Sequence, residues 1–543
     1  MITVIGTTIY NRYHKLFSMK GSLLLYFLLL PFLSFSQGFK IDWQTCYGGT
    51  THDQAYDIVM LEDGYLMTGI VKRDGADELL LVKLDFEGNI IWEKEYGGSK
   101  GDAGIRLLLT TDGNYFLVGG TASSDGDIEN DPYVNGLWDY WILKIDLNGD
   151  IIWSKIYGGM ANDTMWDAVL TSDGGLILTG WVESSDGDIT VHYGWYDIWI
   201  LKLNSQGEKV WDYTIGTPSF DFAGGIIETS DKGFLVTSSS EGYSGGNIDC
   251  DAINEYSEAT IFKLDSLSNF QWQQCYGGTS HESVTDLIEI SDGYILTCIT
   301  YSGDGDVTGG GYHPGTSGGA NSSDIWILKL DFFGNIIWQK CYGGSGDDTP
   351  DKIFKTDDNN YLIFGNTSSH DGDVIGNHSN GGYNDIWIFK INDSGELLWQ
   401  QCFGGNGDET LEAGVIKVSD YNFIIATTIY GNSTGQITCQ ESFDNDQIWI
   451  ISVSDTTVGL NDITNVDNFI KVYPNPATEY LVFEGSNNKP LNLLITDIYG
   501  KVIKQEIIGD RFIWNTEGVN PGVYFYVAGD GSTTVNGKFV IMN

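Results

Sequence analysis

From Ile41 to about Asp455 the chain alternates short runs of apolar, aromatic and β-branched residues with clusters of Gly, Asn, Asp and Ser. Runs of four to eight such residues between turn-forming clusters predict strands, and the 3.6-residue period of a helix is absent. One stretch displays the full pattern. It runs Ile336-Ile337-Trp338, Tyr342-Gly343-Gly344, the acid Asp348, an apolar segment, a polar turn from Asp357 to Asn360 and Tyr361-Leu362-Ile363-Phe364. A loop with Asp371-Gly372-Asp373 follows, then Asp385-Ile386-Trp387-Ile388-Phe389-Lys390-Ile391 and a Ser394-Gly395 turn. Four strands per unit are predicted. Trp43, Trp92, Trp153, Trp211, Trp272, Trp338 and Trp399 mark the recurrence, at intervals of 49, 61, 58, 61, 66 and 61 residues, which makes seven copies.

Seven four-stranded units predict an all-β chain folded as a seven-bladed β-propeller, because each small sheet must cover both faces and only a closed ring leaves no raw end. The first copy brings an extra Trp segment, Lys40 to Cys46, at the front, and no such strand follows Ile448 to Val453. Those two segments are expected to pair, so that the N-terminal strand closes the last blade. The pattern of Trp, aromatic-Gly-Gly, acid, Asp-Gly turn and Asp-x-aromatic strand over residues 41 to about 455 resembles the seven-bladed β-propeller repeat family of extracellular bacterial proteins. That resemblance implies an architecture and names no ligand.

If the Asp-Gly turns at Asp63-Gly64, Asp173-Gly174 and Asp292-Gly293 and the Gly-Asn turns at Gly88-Asn89 and Gly334-Asn335 are hairpins within blades, they share one face. The aromatic-Gly-Gly connections and the loops before the Asp-x-Trp strands then share the other. Most of the variation in repeat length falls in those long loops, where binding tends to evolve. An acid stands five residues after the first Gly of every between-blade loop: Asp53, Asp102, Asp163, Asp221, Glu282, Asp348 and Glu409. Its sevenfold repetition predicts a structural role, accepting backbone N–H groups. The long loops add Asp125 and Asp127, Asp186 and Asp188, Asp304 and Asp306, and Asp371 and Asp373. Alternating carboxylates about a Gly suit calcium, and turn chemistry alone also accounts for them; no Glu closes an EF-hand. Trp138, Tyr193, Trp195, Tyr196, Tyr312 and Tyr383 crowd the same loops and are candidates to stack on a ligand, with packing at the rim the alternative.

Charge narrows the partners. With 28 Lys and Arg against 74 Asp and Glu, the net charge of −46 repels nucleic acid and anionic surfaces. Four of the seven cysteines, Cys46, Cys275, Cys341 and Cys402, share one motif position, and equivalent positions around a ring seldom touch, so buried unpaired thiols are expected. Cys250 and Cys439 occupy matching loop positions, and no bridge between them is expected. His192, His313, His370 and His378 are expected to be solvated loop residues, and His52 and His281 share one between-blade position; no catalytic motif accompanies them.

Basic residues at Arg12, Lys15 and Lys20, the apolar run Leu23 to Leu33 and small residues at Ser34-Phe35-Ser36 predict a secretory signal over residues 1–36, with Met19 the more usual start. No later stretch is long enough to span a bilayer. The repeats occupy 40–455 and a linker 456–468. Residues 469–543 carry strand-like segments that predict a small β-sandwich. Val472-Tyr473-Pro474-Asn475-Pro476-Ala477, Asp497-Ile498-Tyr499-Gly500-Lys501, Gly522-Val523-Tyr524 and Lys538 resemble the C-terminal sorting domain (type A) of the Bacteroidetes type IX secretion system. The resemblance implies export by that machinery, with the protein released or attached at the outer-membrane surface. The expected function is a non-enzymatic binding or adhesion module whose ligand face is formed by acidic, aromatic loops, the ligand being a glycan or a protein. An enzyme acting on polysaccharide through loop carboxylates and a purely structural surface protein are the alternatives.

Overall fold

The computed structural model describes residues 38–48, 53–73, 75–128, 132–133, 136–241, 245–249, 256–314, 322–379, 381–430, 434–439 and 446–455, then 470–473, 477, 480–485, 491–497, 501–509, 511–516, 518–529 and 534–541. The expected signal (1–36) and linker (456–468) lie outside them. The chain divides into two compact units between Val458 and Gly459.

Every described strand of the first unit belongs to a four-stranded antiparallel sheet, and seven sheets follow one another along the chain. Six are continuous in sequence, at 53–96, 102–157, 163–215, 221–276, 282–342 and 348–403. In the sixth, Asp348–Lys355, Tyr361–Thr367, Asp385–Ile391 and Leu397–Phe403 bond each to the next. The seventh takes Asp408–Ser419, Asn422–Tyr430 and Gln447–Asp455 from the end of the repeats and its fourth strand, Phe39–Tyr47, from the front of the chain. Gln44 lies opposite Ile451 and Cys46 opposite Trp449.

Third strands read as near-continuous apolar runs because both of their faces are covered. Trp199, Trp326, Trp387 and Trp449 are accordingly fully buried. Each sheet shares an apolar cluster with the next one in sequence. A further cluster joins Ala55, Ile58 and Met67 of the first sheet to Ile424, Ala426 and Ile450 of the seventh. A cavity of about 200 Å³ is lined by Asp57, Arg106, Asp167, Ile226, Asp286, Lys352 and Val415, one residue from the first strand of each sheet. The arrangement is propeller-like.

Antiparallel order puts both tight turns at one end of each sheet. There a third-strand lysine pairs with a turn aspartate, as in Lys83–Asp63, Lys202–Asp173 and Lys390–Asp358 at 2.8, 3.0 and 2.8 Å. The between-sheet connections and the long loops fall at the opposite end, hereafter the loop end.

The second unit contains a three-stranded sheet of Ile470–Tyr473, Tyr480–Gly485 and Arg511–Asn515 and a four-stranded sheet of Val502–Ile508, Leu491–Asp497, Gly522–Gly529 and Thr534–Ile541. Phe483, Trp514, Tyr526 and Phe539 fill the core between the two. Arg511–Asn515 was not among the segments expected from sequence, although Trp514 points inward and its neighbours Ile513 and Asn515 are exposed.

Candidate functional site: the loop end of the first unit

Each connection between sheets is closed by a buried acid that opens the next first strand. Asp348 Oδ2 accepts the Gly344 N–H at 2.8 Å and the Ser369 hydroxyl at 2.7 Å, and its other oxygen accepts the Thr367 hydroxyl. Asp102 and Glu282 repeat this with Gly98 N and Gly278 N at 2.8 and 2.9 Å. That is the structural role the repetition predicts. A second acid meets the first, and nothing in the sequence reading anticipated it: the residue that opens the third strand of the preceding sheet. A Cβ placed on Gly343 would lie 2.5 Å from Asp324 Oδ1 and 2.6 Å from Asp348 Oδ2; on Gly404 it would lie 2.6 Å from Asp385 Oδ1 and 2.5 Å from Glu409 Oε2. Only glycine fits between the paired carboxylates. Burial, with the charges of Asp348 and Asp373 added, pushes Asp324 up to about 9, and burial raises Asp348 to about 7.

The Asp-Gly-Asp triplets brace the same connections. The first carboxylate accepts a backbone N–H two residues after the first loop glycine: Ser99 to Asp125, Met160 to Asp186, Thr279 to Asp304 and Ser345 to Asp371, at 2.7, 2.9, 2.8 and 2.7 Å. The second accepts the N–H of that glycine itself: Gly97 to Asp127, Gly158 to Asp188, Gly277 to Asp306 and Gly343 to Asp373, at 3.1, 3.3, 3.2 and 3.4 Å. The central glycines have φ from +63° to +70°, and a Cβ on Gly372 would meet the Gly343 carbonyl oxygen at 2.3 Å. Each triplet ties its long loop to the connection that precedes the same sheet. Among the described residues no group of three or more His, Cys, Asp or Glu side chains is placed to hold a metal ion.

Two sequence expectations are corrected here. Three loop histidines stand beside the buried third-strand acids: His378 Nδ1 hydrogen-bonds Asp385 at 2.8 Å, while His313 Nδ1 and His192 Nε2 lie 3.3 and 3.7 Å from Asp324 and Asp197. The long loop folds back over the strand it precedes, which brings them inward. His370 is exposed, as expected. His281 bonds the Ser257 hydroxyl at 3.0 Å, while His52 and Cys250 lie outside the described residues. Cys46 is disulfide-bonded to Cys439, and Cys275 is disulfide-bonded as well, whereas Cys341 and Cys402 are the free buried thiols expected of all four. The bonded pair Cys46 and Cys439 does not occupy equivalent repeat positions. A fourth strand instead runs beside the long loop of its own sheet; in the sixth sheet Cys402 Sγ approaches Ile375 O at 3.7 Å from the same kind of position.

The predicted aromatic residues divide. Trp138 packs over the backbone of Gly101 and Gly120, and Tyr312 lies against Gly303 with its hydroxyl on Tyr301 O at 3.0 Å. Tyr383 is exposed, as is Tyr193. Trp195 is 69% exposed and stacks on Phe220, with centroids 6.2 Å apart and planes at 21°. Tyr196 meets both Phe220 and Phe222 edge to face.

The charged lining of the cavity escaped the sequence reading. Every first strand is bulged at its centre, between Ala55 and Asp57, Gly104 and Arg106, Met165 and Asp167, and at the matching places elsewhere. Asp57 Oδ2 accepts Leu107 N at 2.8 Å, Asp167 Oδ2 accepts Ile226 N at 3.0 Å and Asp286 Oδ2 accepts Ile353 N at 3.0 Å, each from the next sheet. Burial works against the charge of Arg106, and the carboxylates of Asp167 and Asp57 outweigh it and hold the guanidinium ionised. A charged residue four places after the between-blade acid, as in Asp53 with Asp57, Asp102 with Arg106 and Asp348 with Lys352, is the signal that would have found them.

Residues 471–542 match the family described as a secretion system C-terminal sorting domain. No curated protein matches the chain. Among solved structures it is similar to Sqt1 from Chaetomium thermophilum, at 11% identity and a TM-score of 0.40, covering 77% of this chain and 100% of that one. It is similar to a member of the DUF4221 family from Bacteroides vulgatus, at 10% identity and 0.32, covering 77% and 99%. A gluconolactonase from Xanthomonas campestris gives 7% identity and 0.28, covering 65% and 99%. No helix among the described residues is long and apolar enough to cross a membrane. Carrying a type IX sorting domain at its C-terminus, the protein is extracellular, secreted or attached at the outer-membrane surface.

Proposed function

We propose that the first unit is a closed seven-bladed propeller acting as a non-enzymatic binding or adhesion module, and that its acidic, aromatic loop end takes a glycan or protein ligand outside the cell. The observation that carries this reading is the combination of large rings left in solvent at that end, Trp195 at 69% and Tyr383 at 52%, with polar groups already engaged in holding loops. His378 there bonds the buried Asp385, and the triplet carboxylates accept backbone N–H groups. Aromatic surface is left for a partner, with the carboxylates of Glu183 and Glu241 beside it. Closure is supported by the shared cluster of the first and seventh sheets and by the N-terminal strand completing the seventh.

The test is to screen the labelled full chain on arrayed glycans and immobilised extracellular proteins. Binding is expected, lost on Trp195→Ala and Tyr383→Ala and retained on Phe333→Ala at the tight-turn end. Retention in the first pair with loss in the third would reverse the assignment of the ligand face, and turnover of a bound glycan would move the protein among the enzymes.

A further inference from the structure

One part of the loop end differs from the rest. Six aromatic rings touch in series across the third and fourth sheets. Trp166, at the bulge beside Asp167, contacts Trp181 with centroids 5.5 Å apart; Trp181 contacts Phe222 at 5.7 Å, and Phe222 contacts Tyr196 at 5.6 Å. Tyr196 contacts Phe220 at 5.1 Å, and Phe220 lies under Trp195 at 6.2 Å. The series starts on the innermost strand of the third sheet and ends in its long loop. Both of its ends are open to solvent, Trp166 at 48% and Trp195 at 69%, as is Phe222 at 37%. Three large rings exposed along one series, on a chain of net charge −46, mark a place of contact.

Hydrogen-bonding groups flank it. Glu183 bonds the Tyr196 phenol and accepts the Asn162 amide at 3.3 Å, and Glu241 accepts the Ser219 hydroxyl at 2.8 Å. We propose that this strip is the binding platform for a neutral polysaccharide chain, laid along it from the innermost strand outward. The inference rests on the loop end being the ligand face and adds the class of ligand. A pyranose presents a C–H face that stacks on an aromatic ring and hydroxyls at its edge that need acceptors, which Glu183 and Glu241 supply. Several exposed rings in one series, Trp166, Phe222 and Trp195, fit a repeating polymer better than a compact protein epitope. The chain's net charge of −46 opposes an anionic polymer.

Affinity electrophoresis of the full chain tests this, in native gels containing mixed-linkage β-glucan, xyloglucan, galactomannan or polygalacturonate. Retardation is expected in at least one of the three neutral polymers and not in polygalacturonate. Trp166→Ala and Trp195→Ala should each weaken it about tenfold or more, Trp195→Tyr should largely restore it, and Phe333→Ala should leave it intact. Melting curves confirm that the exposed-site variants stay folded. No retardation in any neutral polymer, retardation in polygalacturonate alone, or insensitivity to both Trp→Ala changes overturns the proposal. If the neutral gels fail while an arrayed protein binds and is lost in the same Trp variants, the ligand face stands and the polysaccharide assignment falls.

Discussion

Arg106 Nε donates to Asp167 Oδ1 at 2.8 Å, and this bond ties the innermost strands of the second and third sheets across the cavity. Asp167 also accepts Ile226 N of the fourth sheet, so one carboxylate links three sheets. Replacing Arg106 by Met leaves Asp167 and Asp57 buried without their cation. Breaking a buried pair from one side costs about 3–5 kcal/mol. Urea unfolding of the Arg106→Met protein should register a loss of that order, and a loss within error of zero would mean that the cavity charges do not hold the sheets together.

The Cys46–Cys439 bridge spans 393 residues and fastens the N-terminal strand to the long loop of the seventh sheet. Closing so long a segment restricts the unfolded chain strongly, and loss of a native bridge costs about 2–5 kcal/mol. Reduction under native conditions, or Cys439→Ser, should lower the first unit's melting temperature. Cys275 is disulfide-bonded as well, so peptide mapping should find it in an oxidised pair. Cys298, Cys341 and Cys402 are buried and should react with a thiol reagent only after unfolding.

Alkaline pH should weaken the fold before acid does. Asp324, raised to about 9, and Asp348 and Glu78, each raised to about 7, bind protons more tightly folded than unfolded. The stabilisation from such groups is complete below the unfolded value near 4 and is lost as pH rises through the folded value. Asp324 faces Asp348, Asp373 and His313, and ionising it adds a buried charge among acids. Melting temperature should fall between pH 6 and pH 9, and Asp324→Asn should flatten that slope. An unchanged slope would assign it to other groups.

Each triplet carboxylate accepts a backbone N–H group, the bond expected of a loop brace. Asp127→Ala strands the Gly97 N–H, a loss of about 1–3 kcal/mol. Thermal melts with calcium and with chelator should coincide for the unaltered chain; a rise with calcium that the chelator reverses would instead identify the triplets as calcium ligands.

Much of this architecture is written in local chemistry. Trp spacing, Asp-Gly and Gly-Asn turns and the runs that become third strands each act over a few residues, so the sheets, their order and the pairing of Phe39–Tyr47 with Gln447–Asp455 were legible before any coordinates. The sorting segment was legible for the same reason, its short motifs being local.

What the sequence could not decide is which side chains converge. Asp324 and Asp348 stand 24 residues apart and meet only because consecutive sheets approach closely at Gly343. The bulges turn Asp57, Arg106 and Asp167 toward one cavity, and a bulge shifts register in a way that alternation alone does not encode. Cys46 found Cys439 rather than a repeat-equivalent thiol because strand and loop of one sheet are nearer than like positions of two. Repetition specifies the units; the distances between them are set by packing, and every candidate site here lies in those distances.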